Sequence, residues 1–164
     1  NQSIDFGSTA AAFPDSGANY TVEFEPHATA LEMAGKGFVV ASLGKDSGYV
    51  PYTAFSAKAS FIDANPEIIQ AFTNALQKGM DYVQSHTPEE IAASIAPQFA
   101  ETDMTTLVTI IKRYYEQDTW KDNLTFEKES FDLLLDILES AGELTKTPPY
   151  ESLVTTHYAE NAIN

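Results

Sequence analysis

The stretch from Tyr20 to Gly44, YTVEFEPHATALEMAGKGFVVASLG, constrains the fold of this chain more than any other. Tyr20–Phe24 is rich in aromatic and β-branched residues, which is typical of a strand. Pro26 predicts a switch into a helix, because proline is tolerated in the first helical turn. Gly35 predicts the end of that helix, and Phe38–Leu43 is a second apolar run. We therefore expect a strand–helix–strand unit.

Glu25 lies at the predicted corner between the first strand and the helix. In α/β proteins ligands bind where the carboxyl end of a strand meets the amino end of a helix. A carboxylate at this corner can accept hydrogen bonds from an amino group or a cationic ring. It can also simply complement the positive end of the helix dipole. The residues alone leave both interpretations of Glu25 open.

Composition and charge exclude several classes of function. The chain has 164 residues, of which 43% are hydrophobic, so it is long enough for a domain with a core. Its formal charge of -15 predicts repulsion of nucleic acid and anionic lipid. The absence of cysteine excludes disulfides, thiolate chemistry and cysteine-based zinc sites. A single arginine, Arg113, disfavours a bidentate clamp on a phosphate or carboxylate ligand. No leader sequence is recognisable, so the residues alone suggest a cytosolic, mature or trimmed chain.

The rest of the chain adds one strand candidate, Val50–Ser56, and then becomes helical. Asn65-Pro66 predicts a long helix to about Ser85, and the capping box that begins at Thr87 predicts another. Further helices are predicted from Thr102 or Asp103, from Thr125 to a stop at Gly142, and as a short turn over Tyr150–Val154. The fold class is α/β, with few strands in the first third and mostly helices after. A sheet of three strands is small for packing against four helices. We therefore expect a missing segment or a second copy of the chain to complete the sheet.

The order of these motifs resembles the C-terminal half of ABC-transporter substrate-binding proteins for thiamine pyrimidine precursors, sulfonates or nitrate. The resemblance covers roughly residues 8–154 and rests on YTVEFEPHATALEMAGKG, VPYTAFSAKASFIDANPEIIQAFTNALQKGMDYVQSHTPEEIAASIAPQF, IKRYYEQDTW and ILESAGEL. It implies a partial periplasmic-binding-protein type II fold with a ligand cleft between two lobes. Residues 1–48 would belong to the second lobe, 49–62 to a crossing strand or hinge, and 63–164 to the helical part of the first lobe.

Five residues are candidates for ligand contact. The resemblance implies that the corner at Glu25 faces the cleft, and the preceding Phe24 could stack on a planar ligand or be an ordinary core residue. His27, in the first helical turn, could hydrogen-bond a ligand, although a lone exposed histidine is the favoured interpretation. Tyr49 and Tyr52 flank Pro51 on the presumed crossing strand, and alternation predicts that only one of them points at the cleft.

The predicted function is solute binding for an ABC importer, with capture of a small planar molecule such as an aminopyrimidine. The alternatives are a component that binds a sulfonate- or nitrate-type anion, and a non-catalytic helical interaction domain. The expected partners are a small-molecule ligand and a membrane permease, without nucleic acid, and with self-association of the chain as a further expectation. We expect no enzymatic activity, no cofactor and no metal site, because no catalytic motif or ligand spacing is present. The resemblance implies an extracytoplasmic location, in the periplasm or as a lipoprotein on the outer face of the membrane.

Overall fold

Helices are the regular elements in the computed structural model, which describes residues 4–5 and 7–162. In chain order they are α1 (Thr9–Ala12), α2 (His27–Met33), α3 (Leu43–Asp46), α4 (Ala59–Ala64), α5 (Pro66–Ser85), α6 (Pro88–Ile95), α7 (Met104–Glu116), α8 (Lys128–Ser140), α9 (Tyr150–Leu153) and α10 (His157–Ala162). Short 3₁₀ turns follow α1 at Phe13–Asp15 and α6 at Ala96–Gln98.

The α/β prediction, and with it the partial type II binding-protein fold, is wrong for the described part of the chain. No strand is formed there, and the three segments predicted as strands run as irregular chain, apart from Leu43, which begins α3. A strand exists only when a neighbour completes its hydrogen-bond ladder, and aromatic or β-branched composition does not provide that neighbour. The segments 20–24, 38–42 and 50–56 have the composition of strands without a paired neighbour among the described residues.

The predicted starts of three helices, α5, α6 and α7, are confirmed. Helix α5 begins at Pro66 and ends at Ser85. Helix α6 begins with the capping box, in which Thr87 Oγ1 accepts from the Glu90 N–H and the Glu90 carboxylate accepts from the Thr87 N–H. Asp103 caps α7 by accepting from the Thr106 N–H at 3.1 Å. These signals are local, so the sequence suffices to place them.

One helix start and the C-terminal end of the chain differ from the prediction. Helix α8 begins at Lys128 rather than beside Thr125, because the Thr125 N–H donates to the Asn123 side chain in a turn before the helix. Its end is as predicted, with Gly142 at a φ of +76°. The sequence predicts only a polar tail for the last residues, yet α10 forms over His157–Ala162 and packs against α5.

The chain divides into two compact units, each built from separate stretches. The first unit combines the described residues through Ser42 with Thr87–Gln117, and the second combines Leu43–His86 with the chain from Asp118 onward. In the first unit α6 and α7 pack together, and its buried apolar side chains are Ile91, Ala92, Leu107, Ile110 and Ile111. In the second unit the buried apolar side chains are Phe131, Leu135 and Ala159. The predicted lobe boundaries at residues 48 and 62 stay a prediction.

Among the described residues, every helix is too short or too polar to cross a lipid bilayer.

Candidate functional site

The carboxylate of Glu25 lies at the amino end of α2, as the sequence indicates, but protein groups hold both of its oxygens. Oε2 accepts a hydrogen bond from the Thr29 N–H at 2.9 Å. Oε1 accepts from the Thr29 hydroxyl at 2.9 Å and from Arg113 Nη1 at 3.1 Å. The Glu25 side chain is only 10% exposed. The geometry therefore gives Glu25 a role in starting the helix, which is one of its two predicted interpretations.

Arg113 of α7 joins the two ends of α2. Its Nη1 bonds Glu25 and also donates to the Thr29 hydroxyl at 2.5 Å, and its Nη2 pairs with the carboxylate of Glu32. Thr29 is fully buried between these groups. A planar guanidinium can serve two carboxylates at once, whereas a lysine ammonium lacks that fork geometry. We call Glu25, Thr29, Glu32 and Arg113 the arginine cluster.

Electrostatics within the arginine cluster favour the charged forms of Glu32 and Arg113. A hydrogen bond from the Val39 N–H, at 3.0 Å, is the main cause that lowers the pKa of Glu32, and Arg113 lowers it further. Burial opposes the charge on Arg113, but its bonds to Glu25 and Glu32 outweigh burial and raise its pKa. Because the guanidinium already contacts two carboxylates, the cluster is poorly suited to bind an anionic ligand.

Phe24 and His27 lie on either side of the Glu25-Pro26 corner and are both exposed. His27 is the first residue of α2. Phe24 therefore does not take the role of a core residue, which was the alternative to ligand stacking. The ligand roles of Phe24, Glu25 and His27 stay predictions.

Tyr49 lines an open cleft of about 380 Å³ in the second unit. The residues around this cleft are Tyr49, Lys121, Glu127, Glu129, Ser130 and Leu133. Lys121 Nζ lies 5.6 Å from the centroid of the Tyr49 ring and 3.9 Å from Glu127 Oε1. We call this the tyrosine cleft. It offers an aromatic surface, a hydroxyl and two carboxylates, a combination that can bind a planar group with amino donors.

The phenol of Tyr49 donates a hydrogen bond of 2.5 Å to Asp118 Oδ2. This bond and the negative charge of Asp118 raise the pKa of Tyr49. The bond also fixes the direction of the ring beside the cleft. Tyr52 is exposed and is not one of the residues that line the tyrosine cleft. The structure thus distinguishes the two tyrosines, although the ligand role of each stays a prediction.

Sequence reasoning missed Glu32, Thr29 and Arg113 as a group, and Lys121 and Glu127 beside Tyr49. The first group had one usable signal, which is that the chain's single arginine follows the buried Ile110 and Ile111 on an amphipathic helix. An arginine that is partly buried beside apolar side chains needs carboxylate partners. Its partners lie more than 80 positions earlier, so spacing could not identify them.

No group of three or more histidine or acidic side chains in the described part of the chain could hold a metal ion.

The chain is similar to "Putative binding protein YtlA" of Bacillus subtilis (strain 168), with 37% identity over 159 residues. The match covers 97% of this chain and 48% of YtlA, so the chain spans about half the length of this curated relative. No family model matches the chain. No solved structure matches it either. The name of YtlA describes a binding protein, which is consistent with the expected non-enzymatic role.

Proposed function

We propose that this chain acts in binding a small solute, as part of the solute-binding component of an ABC importer. The observation that carries the proposal is the match to a protein described as a binding protein, which extends over 97% of the chain. The order of motifs described above supports the importer role. An extracytoplasmic location and a membrane permease as partner belong to the same proposal.

The proposed ligand is a small planar molecule with amino donors, such as an aminopyrimidine. The tyrosine cleft supports this class, because Tyr49 offers a ring for stacking while Glu127 and Glu129 offer acceptors. The described residues are less suited to bind anions of the sulfonate or nitrate type. Arg113 already forms ion pairs with Glu25 and Glu32. Lys121, the one cation that lines the tyrosine cleft, lies 3.9 Å from a carboxylate oxygen of Glu127.

Thermal-shift and calorimetric titrations with 4-aminopyrimidine, taurine and nitrate test the ligand class. We expect the aminopyrimidine to raise the melting temperature, because a ligand that binds the folded state stabilises it. Tyr49→Ala should weaken binding about tenfold, since loss of an aromatic contact costs on the order of 1 kcal/mol or more. Tyr52→Ala is the matched control, with an expected change of less than about twofold. Equal shifts with taurine or nitrate, or equal effects of the two variants, would refute the proposed ligand class.

A helical interaction domain is the second candidate function. It is favoured by one observation, which is that helices are the regular elements of the described residues. The two candidates differ in one result. Solute binding predicts saturable heat with the aminopyrimidine in the absence of any protein partner, whereas an interaction domain predicts none.

A further inference from the structure

We propose that the tyrosine cleft binds its ligand as a planar cation of the amidinium type, which displaces the ammonium of Lys121 from the face of the Tyr49 ring. The inference rests on the proposed solute-binding function. It adds the charge of the ligand and the residue with which the ligand competes. Lys121 thereby occupies the binding surface of Tyr49 until another cation replaces it.

The face of the Tyr49 ring already has a cation over it. Lys121 Nζ lies 5.6 Å from the ring centroid, which is within the range of a cation–π contact. The phenol proton is donated to Asp118, so Tyr49 offers a ligand its ring face and no hydrogen-bond donor. A ring face that attracts an ammonium attracts a planar cation through the same quadrupole. Tyr49 therefore favours a cationic ligand over an anionic one.

Lys121 is held loosely enough for a ligand to displace it. Its Nζ lies 3.9 Å from Glu127 Oε1, at the limit of an ion pair, and the two side chains are 38% and 42% exposed. Water screens such a pair, and a cation–π contact at an exposed site is also weak. The flexible stem of lysine lets the ammonium move into solvent. Displacement of Lys121 therefore has a small cost.

The charges around the tyrosine cleft favour a cation. Glu127 and Glu129 line the cleft, and the carboxylate of Asp118 accepts from the Tyr49 hydroxyl beside it. These three carboxylates outweigh the ammonium of Lys121. The amino end of α8 adds only about half a positive charge. A ligand that brings a positive charge is therefore attracted to the cleft.

The geometry of the cleft suits a planar cation with N–H donors. Such a group can lie flat on an aromatic face while its donors reach carboxylate oxygens at the edge. Recognition of a quaternary ammonium uses a cage of aromatic rings, whereas Tyr49 is the one aromatic residue that lines the described cleft. A volume of about 380 Å³ is in the range of small-ligand sites. Protonation of an aminopyrimidine on a ring nitrogen creates a cation of this type.

Two probes of nearly identical shape test the charge of the ligand. Benzamidinium is a planar cation at neutral pH, and benzamide is its neutral counterpart. Calorimetric titration of each into the whole chain measures the two affinities. We expect benzamidinium to bind at least about tenfold more tightly than benzamide, because only the cation gains from both the ring face and the carboxylates.

Two variants should change the affinity for benzamidinium in opposite directions. Lys121→Met removes the competing ammonium and keeps a flexible apolar side chain, so it should tighten binding about fivefold. Glu129→Gln removes one attracting charge and should weaken binding about threefold. Neither variant should change the affinity for benzamide by more than about twofold.

Lys128→Met is the matched control for Lys121→Met. It removes the same charge beside the cleft, but Lys128 does not line the cleft and pairs with Asp132 at 2.6 Å. It should change the affinity for benzamidinium by less than about twofold.

The inference is overturned if benzamide binds as tightly as benzamidinium, or if Lys121→Met has no more effect than Lys128→Met. Titration with 4-aminopyrimidine in the same experiment separates this failure from that of the proposed function. Saturable heat with 4-aminopyrimidine, together with indifference to the charge of the probe, overturns the inference and leaves solute binding supported. Absence of heat with all three compounds overturns both.

Discussion

Arg113 and Glu25 lie 88 positions apart in the sequence and are joined by a hydrogen bond of 3.1 Å from Nη1 to Oε1. The same guanidinium holds Glu32 at the other end of α2. One side chain thereby fixes the short helix α2 to α7 at both of its ends. Helices α2 and α7 pack together, and this charge network joins them.

Arg113→Ala should destabilise the folded chain by about 2 kcal/mol, because it leaves two carboxylates close together without a counter-charge. This value is below that for a fully buried pair, since the Arg113 side chain is 24% exposed. Arg113→Lys should lower the stability about half as much, because lysine keeps the positive charge but lacks the planar guanidinium that bonds two carboxylates. Urea denaturation followed by circular dichroism measures both.

The neighbouring Lys112→Ala is the control for this prediction. Lys112 pairs with Glu89 at 2.8 Å, but both side chains are more than half exposed. An exposed pair contributes little, so the change should be under about 0.5 kcal/mol. Equal losses in the Lys112 and Arg113 variants would contradict the proposed importance of the arginine cluster.

Acid should weaken the fold partly through Glu32. Its pKa in the folded chain is lowered from an ordinary value of 4.5, so it stabilises the fold above that value. This contribution is lost as the pH falls through the lowered pKa. The melting temperature of Glu32→Gln should therefore fall less between pH 7 and pH 3 than that of the wild type. An identical pH profile for Glu32→Gln and the wild type would count against the prediction.

Two glycine substitutions should have opposite effects. Gly35 ends α2 at a φ of +66°, which alanine adopts only with strain, so Gly35→Ala should destabilise the chain by about 1 kcal/mol. Gly79 lies within α5, and a methyl group added there would meet open space, so Gly79→Ala should stabilise the chain by about 0.5–1 kcal/mol. Thermal melts of the two variants measure these changes in stability. The argument is refuted if both variants are stabilised or both are destabilised.

Tyr49 should ionise above its ordinary pKa of 10.0, because its phenol donates to Asp118. Ultraviolet difference titration of the wild type against Tyr49→Phe isolates this phenol. In Asp118→Asn the hydrogen-bond acceptor is retained without its charge, so the pKa should move back toward 10.0. A titration that Asp118→Asn leaves unchanged would contradict the assignment of the cause.

The sequence predicts the helices well because their signals are local. The capping box at Thr87, the proline at position 66 and the glycine at position 142 each act within a few residues of the boundary they set. The wrongly predicted start of α8 at Thr125 also has a local cause, because the Thr125 N–H donates to the side chain of Asn123 in a competing turn. Neighbouring residues decide such boundaries, and the sequence shows them.

Features that depend on distant partners are not predictable in this way. The segment 20–24 has the composition of a strand, but only a paired neighbour makes a strand. The position of Glu25 at the start of a helix follows from the proline after it. Its contact with Arg113 does not, because nothing in the sequence relates residues 88 positions apart.

The distance between Glu25 and Arg113 also has a consequence in time. A ribosome adds about 5–20 residues per second, so the 88 additions from Glu25 to Arg113 take roughly 4–18 seconds. During that interval the carboxylates of Glu25 and Glu32 have no guanidinium to hold them. Helix α2 is thus made well before Arg113 can fix it to α7, and it lacks this bond until α7 leaves the ribosome.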